Sequence, residues 1–380
     1  MKSYKFFLLA ALLFNAGNVK AEARFDSYQD FKNYLDKKYG FDYNFDVSVL
    51  AQRSSPNGEH NAVQAYLYPS FMWTTFNNEY GVGALNFAYT IIRYGNHDAS
   101  DLGTNSGFVT PINDYPANQN EFSELYYTYQ PSGKWNWLTL GLGQFPIYNF
   151  DGTDYDANQQ VNFLNDSLAQ NASASYTQAG VGAYAQITPN NRWSFAFGGQ
   201  DATNVDAVSV RFNHLDEKHY TTFGYAAYTP TIKGVGDAEI SILVYNQPGV
   251  TAQPQTTNGW SLNLSQDIGK KLSLFARVNE VSGSVEEIRQ SWVLGGVYNN
   301  PLNRNSLDQI GLAYAYNKLD EAAVGEKLNH KAEQIIEAYW AWGIGDMLTI
   351  TPDVQMYINP ALNQKSDYGF ATGLRATVFF

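Results

Sequence analysis

From Phe41 onward the chain alternates apolar and polar residues with a period of two, and its charges keep to one side of that alternation. Leu272, Leu274, Ala276 and Val278 oppose Ser273, Phe275, Arg277 and Asn279. Leu348, Ile350, Pro352, Val354 and Met356 oppose Thr349, Thr351, Asp353 and Gln355. Ile336, Ala338, Trp340 and Trp342 oppose Glu333, Glu337 and Tyr339. The closing "YGFATGLRATVFF" sets Phe370, Thr372, Leu374, Ala376, Val378 and Phe380 against Ala371, Gly373, Arg375, Thr377 and Phe379. A β-strand sends successive side chains to opposite faces, so these stretches are strands with one apolar face. In a bilayer a lipid-facing Arg or Lys costs roughly 2–4 kcal/mol at the midplane, and such segregation is required. A soluble sandwich would use the same alternation with its charges turned outward. Other features decide between the two.

The first is the start of the chain. "MKSYK" is basic, "FFLLAALLF" is apolar, and small residues at Val19 and Ala21 follow. This is the pattern of a secretory leader, residues 1–21, with cleavage after Ala21 or, as a second option, Ala23. The apolar run is too short to cross a bilayer as a helix. Nothing after it reads as a transmembrane helix, so a mature chain that enters a membrane does so as a β-barrel. There is no cysteine, hence no disulfide framework. The formal charge of −12 becomes −15 once Lys2, Lys5 and Lys20 are removed. Such acidity argues against nucleic acid as a partner.

Residues 22–40 read as a short amphipathic helix, with Phe25, Tyr28, Phe31 and Leu35 three to four apart and Gly40 as its stop. Strands are expected near 41–50, 62–73, 80–94, 120–130, 136–145, 176–187, 192–201, 219–229, 237–246, 258–267, 271–281, 288–298, 307–317, 332–342, 346–358 and 368–380. That is about sixteen, a number typical of porins. Their connections alternate. Short ones such as "TTFNNEY", "TPNNR" and "GIGD" separate longer ones near 95–119, 146–175 and 202–218. Bacterial barrels have short periplasmic turns and longer external loops. The expected fold is therefore all-β: one transmembrane antiparallel barrel, residues 41–380, preceded by a short N-terminal periplasmic helix.

Three stretches resemble the carbohydrate-selective porin family, the OprB-type porins. In Gln160–Asn204 the matching positions are Phe163, Leu164, Asn165, Asn171, Gly182, Trp193, Asp201 and Ala202. In Glu333–Ala361 they are Glu333, Glu337, Tyr339 and the Pro352-Asp353-x-Gln355 block ending in Asn359-Pro360. The third is the closing "GLRATVFF". Together they span about half of the mature chain. The chain departs from the pattern at Gly143-Gln144, where many members have Gly-Arg, and in its first three strands, which lack the glycine-rich pattern. The resemblance implies a sixteen-stranded outer-membrane porin of a Gram-negative cell, passing monosaccharides or small oligosaccharides. It also implies that Phe380 is read by the barrel-assembly machinery. Outer-membrane lipid and lipopolysaccharide would surround such a barrel, and both a monomer and a homotrimer fit it.

A sugar pore needs hydrogen-bonding groups and aromatic faces at its narrowest point. Strand parity points Glu124, Arg277, Asn279, Glu333, Glu337, Asp353, Gln355 and Arg375 inward, as pore-lining residues or as general lumen residues. Arg277 and Arg375 facing Glu333, Glu337 and Asp353 would set a transverse field. The loop near 146–175 is the expected constriction, with Asp151, Asp154, Asp156, Phe163 and Asn165 on it. The three aspartates could hold Ca²⁺ or form a solvated acidic loop, and their spacing is not that of an EF-hand. No metal or cofactor is required. The five histidines show no metal-ligand spacing, and no Gly-x-Ser-x-Gly elbow is present, so an enzyme is not expected. The rival readings are a porin for other solutes and a barrel plugged by its loops that serves adhesion.

Overall fold

The computed structural model describes residues 27–56, 61–283 and 285–380. The proposed leader and Phe25 lie outside them.

Sixteen antiparallel strands close into a barrel. They run Phe41–Ser55, Ala62–Asn78, Gly81–Tyr94, Gln119–Pro131, Leu138–Phe145, Gly180–Asn190, Trp193–Asp201 and Tyr220–Tyr228. Gly236–Gln247, Thr257–Ile268, Leu272–Val281, Ile288–Asn299, Gln309–Leu319, Ala332–Ile344, Leu348–Ile358 and Tyr368–Phe379 complete the wall. A two-residue ribbon, Thr231–Ile232, adds to the start of the ninth. Each strand pairs with its neighbours in sequence, and the first pairs with the last from Asp46↔Phe379 to Ser55↔Phe370. Closure leaves no strand without partners on both sides.

The alternation reads directly onto the two faces. Leu274, Leu294, Leu312, Ile350, Val354 and Leu374 stand out from the barrel, and Leu294 is 63% exposed. Ser273, Arg277, Asn279, Glu333, Glu337, Thr351 and Arg375 point inward and are buried. Exposed tryptophans at Trp73, Trp193, Trp292 and Trp342 join the outward face, as expected where rings meet lipid headgroups. Among the described residues no helix is long and apolar enough to cross a membrane.

Two expected turns are shorter than the sequence suggested. "TTFNNEY" continues the second strand to Asn78, because Thr74–Asn78 pairs with Gly81–Ala84 across a bulge. The first strand extends to Ser55 through its pairing with the last. The sixth starts at Gly180, later than the expected 176. Tyr176 belongs instead to the preceding loop, where its ring meets Tyr245 edge-on.

The N-terminal helix spans Tyr28–Tyr39, capped by Ser27, which accepts from Asp30 N–H. It ends at Gly40 in the left-handed region (φ 65°), where a Cβ would lie 2.7 Å from the Thr74 carbonyl. None of its residues is fully buried. It is held at the barrel rim by Tyr28, whose ring meets those of Tyr43 and Phe380, and by Lys32, which donates to Asn44 and to the Phe380 carbonyl.

The core lies inside the barrel. Residues 95–118 and 146–179 fold inward from one end of the wall. The first carries the helix Ala99–Ser106, closed by an Asp98–Asp101 capping box. The second carries a 3₁₀ turn, Ile147–Phe150, and one helical turn, Asp166–Ala169. Leu102, Phe108, Ile112, Phe163 and Leu168 from these segments pack on Phe275, Val293, Ile335, Tyr339 and Tyr357 of the wall. Phe145, Ile147 and Phe150 pack on the other side against Ala196, Phe223 and Leu243. The segments thus lean on strands seven to nine and eleven to sixteen. They also touch the second to fourth strands, where Tyr66 meets the Tyr115 ring, Gln64 and Tyr94 donate to the Tyr115 carbonyl, and Glu121 and Glu124 accept from Tyr148 and Asn149.

Candidate functional site

Four charged wall residues take up the backbone of the two inner segments. Glu333 accepts the N–H groups of Val109 at 2.9 Å, Thr110 at 2.7 Å and Ala361 at 2.7 Å. Glu337, two strand repeats away, accepts Leu164 N–H at 2.6 Å and Asn165 N–H at 2.9 Å. The Arg277 guanidinium donates to the carbonyls of Asp156 (3.1 Å), Ser167 (2.9 Å) and Gln170, and its Nη1 lies 3.1 Å from Asp156 Oδ2. Arg375 donates to the carbonyls of Gln159, Asn162 (2.9 Å) and Val161 (2.8 Å). A carboxylate suits N–H groups and a guanidinium suits carbonyls, so the pattern matches each charge to the backbone group it can satisfy.

The remaining inward candidates join the same network. Gln355 Nε2 donates to the Ile112 carbonyl at 2.9 Å. Asn165 donates to Gln355 and, at 2.7 Å, to the Tyr357 hydroxyl, whose ring stacks on Phe108 at 3.8 Å. Asn279 accepts from Ser173 at 2.5 Å. Asp353 accepts from Gln355 at 3.4 Å and lies within electrostatic reach of Glu337 and Arg375. Phe163 is enclosed by Phe275 and Tyr339. Asp151 accepts from Asn171 at 2.7 Å, Asn263 at 3.1 Å and Tyr176 at 3.2 Å. Asp154 is exposed.

The expected transverse field is not what this geometry makes. Both arginines are shielded from water and spend their donors on loop carbonyls, while Glu333 and Glu337 are covered by loop N–H groups. These side chains hold the inner segments and do not line open space. Among the described residues no group of three acidic or histidine side chains could hold a metal ion. The three aspartates diverge, Asp156 to Arg277 and Asp151 to amides.

Open space remains on the other side, as a cavity of about 180 Å³ between the inner segments and the second and fourth strands. Tyr66, Tyr68, Tyr115, Tyr148 and Tyr176 supply its rings. Asp114, Asp151 and Asp156 are its only charged lining residues. The segments 95–118 and 146–179 contain no Lys or Arg at all. Enclosure, with the Asp166 and Glu121 carboxylates nearby, holds Asp114 well above the usual carboxylate range. Burial pushes Asp166 up to about 6 against the hydrogen bond from Gln170. Of the candidates only Asp151 and Asp156 border this cavity, while Glu124 stands beside it, accepting from Asn149 at 2.7 Å. Sequence reasoning missed Asp114 and the five tyrosines. The available signal was a nominally solvated loop that carries Phe108, Val109 and Ile112 and no cation.

The sequence model of the carbohydrate-selective porin, OprB family, matches residues 217–380. The chain is 38% identical to Porin AaxA of Chlamydia felis over 314 residues, 82% of this chain and 70% of that protein. It is 36% identical to Porin AaxA of Chlamydia abortus over 353 residues, 90% of this chain and 78% of that protein. Among solved structures, the high-pH form of Pseudomonas putida OprB superposes with a TM-score of 0.74 at 13% identity, over 93% of this chain and 97% of that one.

Proposed function

This chain belongs to the OprB family of carbohydrate-selective porins, and from that premise we propose that it lets small hydrophilic solutes, sugars foremost, diffuse passively across the outer membrane of a Gram-negative bacterium. The observation that carries the reading is the cavity beside the inner segments. The segments pack most of their apolar residues on one part of the wall and enclose polar, aromatic space beside the second and fourth strands. Tyrosine faces and hydroxyls there suit a solute rich in both C–H faces and hydroxyl groups. Pore size and lining set selectivity, and nothing in the proposed path calls for a cofactor or a covalent step.

A second reading, a porin for other solutes with a preference for cations, is favoured by the charge of that cavity. Its lining is acidic, and the nearest arginines are engaged with the backbone. In either reading residues 1–21 are the removed leader, and outer-membrane lipid and lipopolysaccharide meet the apolar belt. Phe380 is the residue presented to the assembly machinery.

Liposome swelling tests both. Glucose, a disaccharide and a size-matched uncharged non-sugar are compared with the refolded protein. Faster entry of glucose than of its match supports sugar selectivity. Equal entry supports the wider porin. No entry of any solute overturns the channel and leaves a barrel closed by its loops.

A further inference from the structure

The 3₁₀ turn Ile147–Phe150 divides the lumen into two spaces of opposite character. Tyr148 faces the acidic cavity, while Asn149 and Phe150 face a second cavity of about 200 Å³ on the side of the short turns. Two carboxylates of the fourth strand tie the turn in place. The Tyr148 hydroxyl donates to Glu121 at 3.4 Å, and Asn149 Nδ2 donates to Glu124 at 2.7 Å.

No charged residue lines the second cavity. Five rings make most of its wall: Tyr126, Phe145, Phe150, Tyr184 and Tyr225. Its polar lining side chains, apart from the tyrosine hydroxyls, are the amides of Asn149 and Gln186. Tyr184 has a fixed attitude. It is paired directly with Gly141, and a Cβ on that glycine would lie 2.1 Å from the Tyr184 ring. The ring therefore lies along the wall over bare backbone, an arrangement that only glycine permits. Phe145 and Phe150 meet it edge-on at 5.0 and 5.4 Å and keep it from turning. One face of Tyr184 is thus spent on the wall, and the other is offered to the lumen. Tyr126, Tyr184 and Tyr225 are only half-buried.

We propose that this chamber is a binding subsite for one neutral pyranose ring, stacked by its C–H face on Tyr184 and Tyr225 and hydrogen-bonded at its edge by Asn149 and Gln186. This rests on the reading of the lumen as a sugar path and places a dwell point on it. A flat aromatic face recognises the apolar face of a cyclic sugar and gives nothing comparable to an open-chain polyol. The uncharged lining distinguishes the subsite from the acidic cavity above it, which attracts cations. A solute crosses the two in sequence, past Tyr148 and Asn149.

The test is blockade of ion current through single channels by methyl β-D-glucoside, with sorbitol as the acyclic match. The wild-type protein, Tyr225→Leu and Tyr126→Leu are compared, and folding of each is verified by heat-modifiable migration on gels. The expected result is block by the glucoside at lower concentration than by sorbitol in the wild type. That preference shrinks about three- to tenfold in Tyr225→Leu, which removes one stacking face, and by less in Tyr126→Leu, which removes the ring that flanks Tyr184. Tyr225→Phe, which keeps the face, retains it. A wild type that prefers the glucoside while both leucine variants keep the preference overturns the subsite and leaves the sugar path standing. A wild type that does not tell the two solutes apart overturns the subsite together with the sugar reading beneath it.

Discussion

Arg277 and Asp156 meet inside the barrel with 3.1 Å between Nη1 and Oδ2 and both side chains wholly shielded from water. One belongs to the eleventh strand and the other to the inner segment 121 residues earlier. The same guanidinium also donates to the Asp156 carbonyl, so the pair fixes backbone as well as side chain. Desolvating two charges offsets most of their attraction, so the pair adds little net stability over a well-packed apolar one. What it does is penalise any other seating of the segment, because displacement would leave a buried charge unpaired.

Removing one partner should therefore show in the pore. Arg277→Ala leaves Asp156 without its cation, at a cost of about 3–5 kcal/mol for the seated segment. The expected outcome is a larger, noisier single-channel conductance, with the barrel still folded. Conductance traces equal to those of the wild type would mean that the hydrophobic contacts of Phe163 and Leu168 suffice to seat it.

Glu337 makes a milder case. In Glu337→Gln one oxygen is replaced by an amide nitrogen, which cannot accept from Leu164 or Asn165. An unsatisfied buried N–H costs about 1–3 kcal/mol. The segment should then be cut by external chymotrypsin at Tyr155 or Phe163 faster than in the wild type. Cleavage at the wild-type rate would remove Glu337 from the anchoring set.

The acidic lumen predicts a pH dependence of two signs. Asp166 titrates near 6 in the folded protein against 3.8 for the free group. Between those values the folded state holds a proton that the unfolded state has released. Its contribution to stability is thus full below about pH 4 and is lost as pH rises through 6. Ion selectivity moves the other way. Protonation of Asp114, whose carboxyl is held well above the usual range by burial, removes negative charge from the cavity lining. Reversal potentials in a KCl gradient should show cation preference at pH 8 that declines toward pH 5. A preference for chloride at pH 8 would contradict the acidic cavity as the controlling element.

On the outer face, Leu294→Arg places a charge where the side chain stands 63% exposed. The expected cost is roughly 2–4 kcal/mol, read as a lower unfolding temperature in lipid vesicles than for the wild type. An unchanged temperature would put this position at the membrane surface and not at its midplane.

Phe380 separates assembly from architecture. Its ring packs on Tyr28 and Phe45, yet the strand ladder ends one residue earlier, at Phe379. Phe380→Ala should lower the amount of folded barrel reaching the membrane in cells while protein refolded in detergent conducts normally. Equal yield in cells would show that the assembly machinery does not need this ring.

The wall was legible because its code is local. All sixteen strands follow from alternation; two run past their visible pattern where a bulge or a closing partner extends them, at Thr74–Asn78 and Gln52–Ser55, and the sixth starts later than expected, at Gly180. The interior was legible only in part. Parity correctly turns Glu333 and Arg375 inward, but not toward their partners, which are backbone groups of Val109 and Val161, 224 and 214 residues away. Backbone N–H and C=O groups are the same in every residue and leave no mark on the sequence. The cavity was hidden for the same reason. It is defined by how the inner segments fold beside the second and fourth strands, and so Asp114 and Tyr148 gave no period to follow.

The pairing of Val47 with Val378 makes the protein's length indivisible. The last strand lies far along the chain from the first, so a sheet of the first fifteen strands carries two unpaired margins until Tyr368–Phe379 joins it. A nascent chain in this state can pair with another of its kind as readily as with itself. A message cut short by one strand would not yield a narrower pore. It would yield a ribbon with raw edges in hydrocarbon, which no membrane tolerates. Closure of the wall therefore reduces to one event, the meeting of its first and last strands.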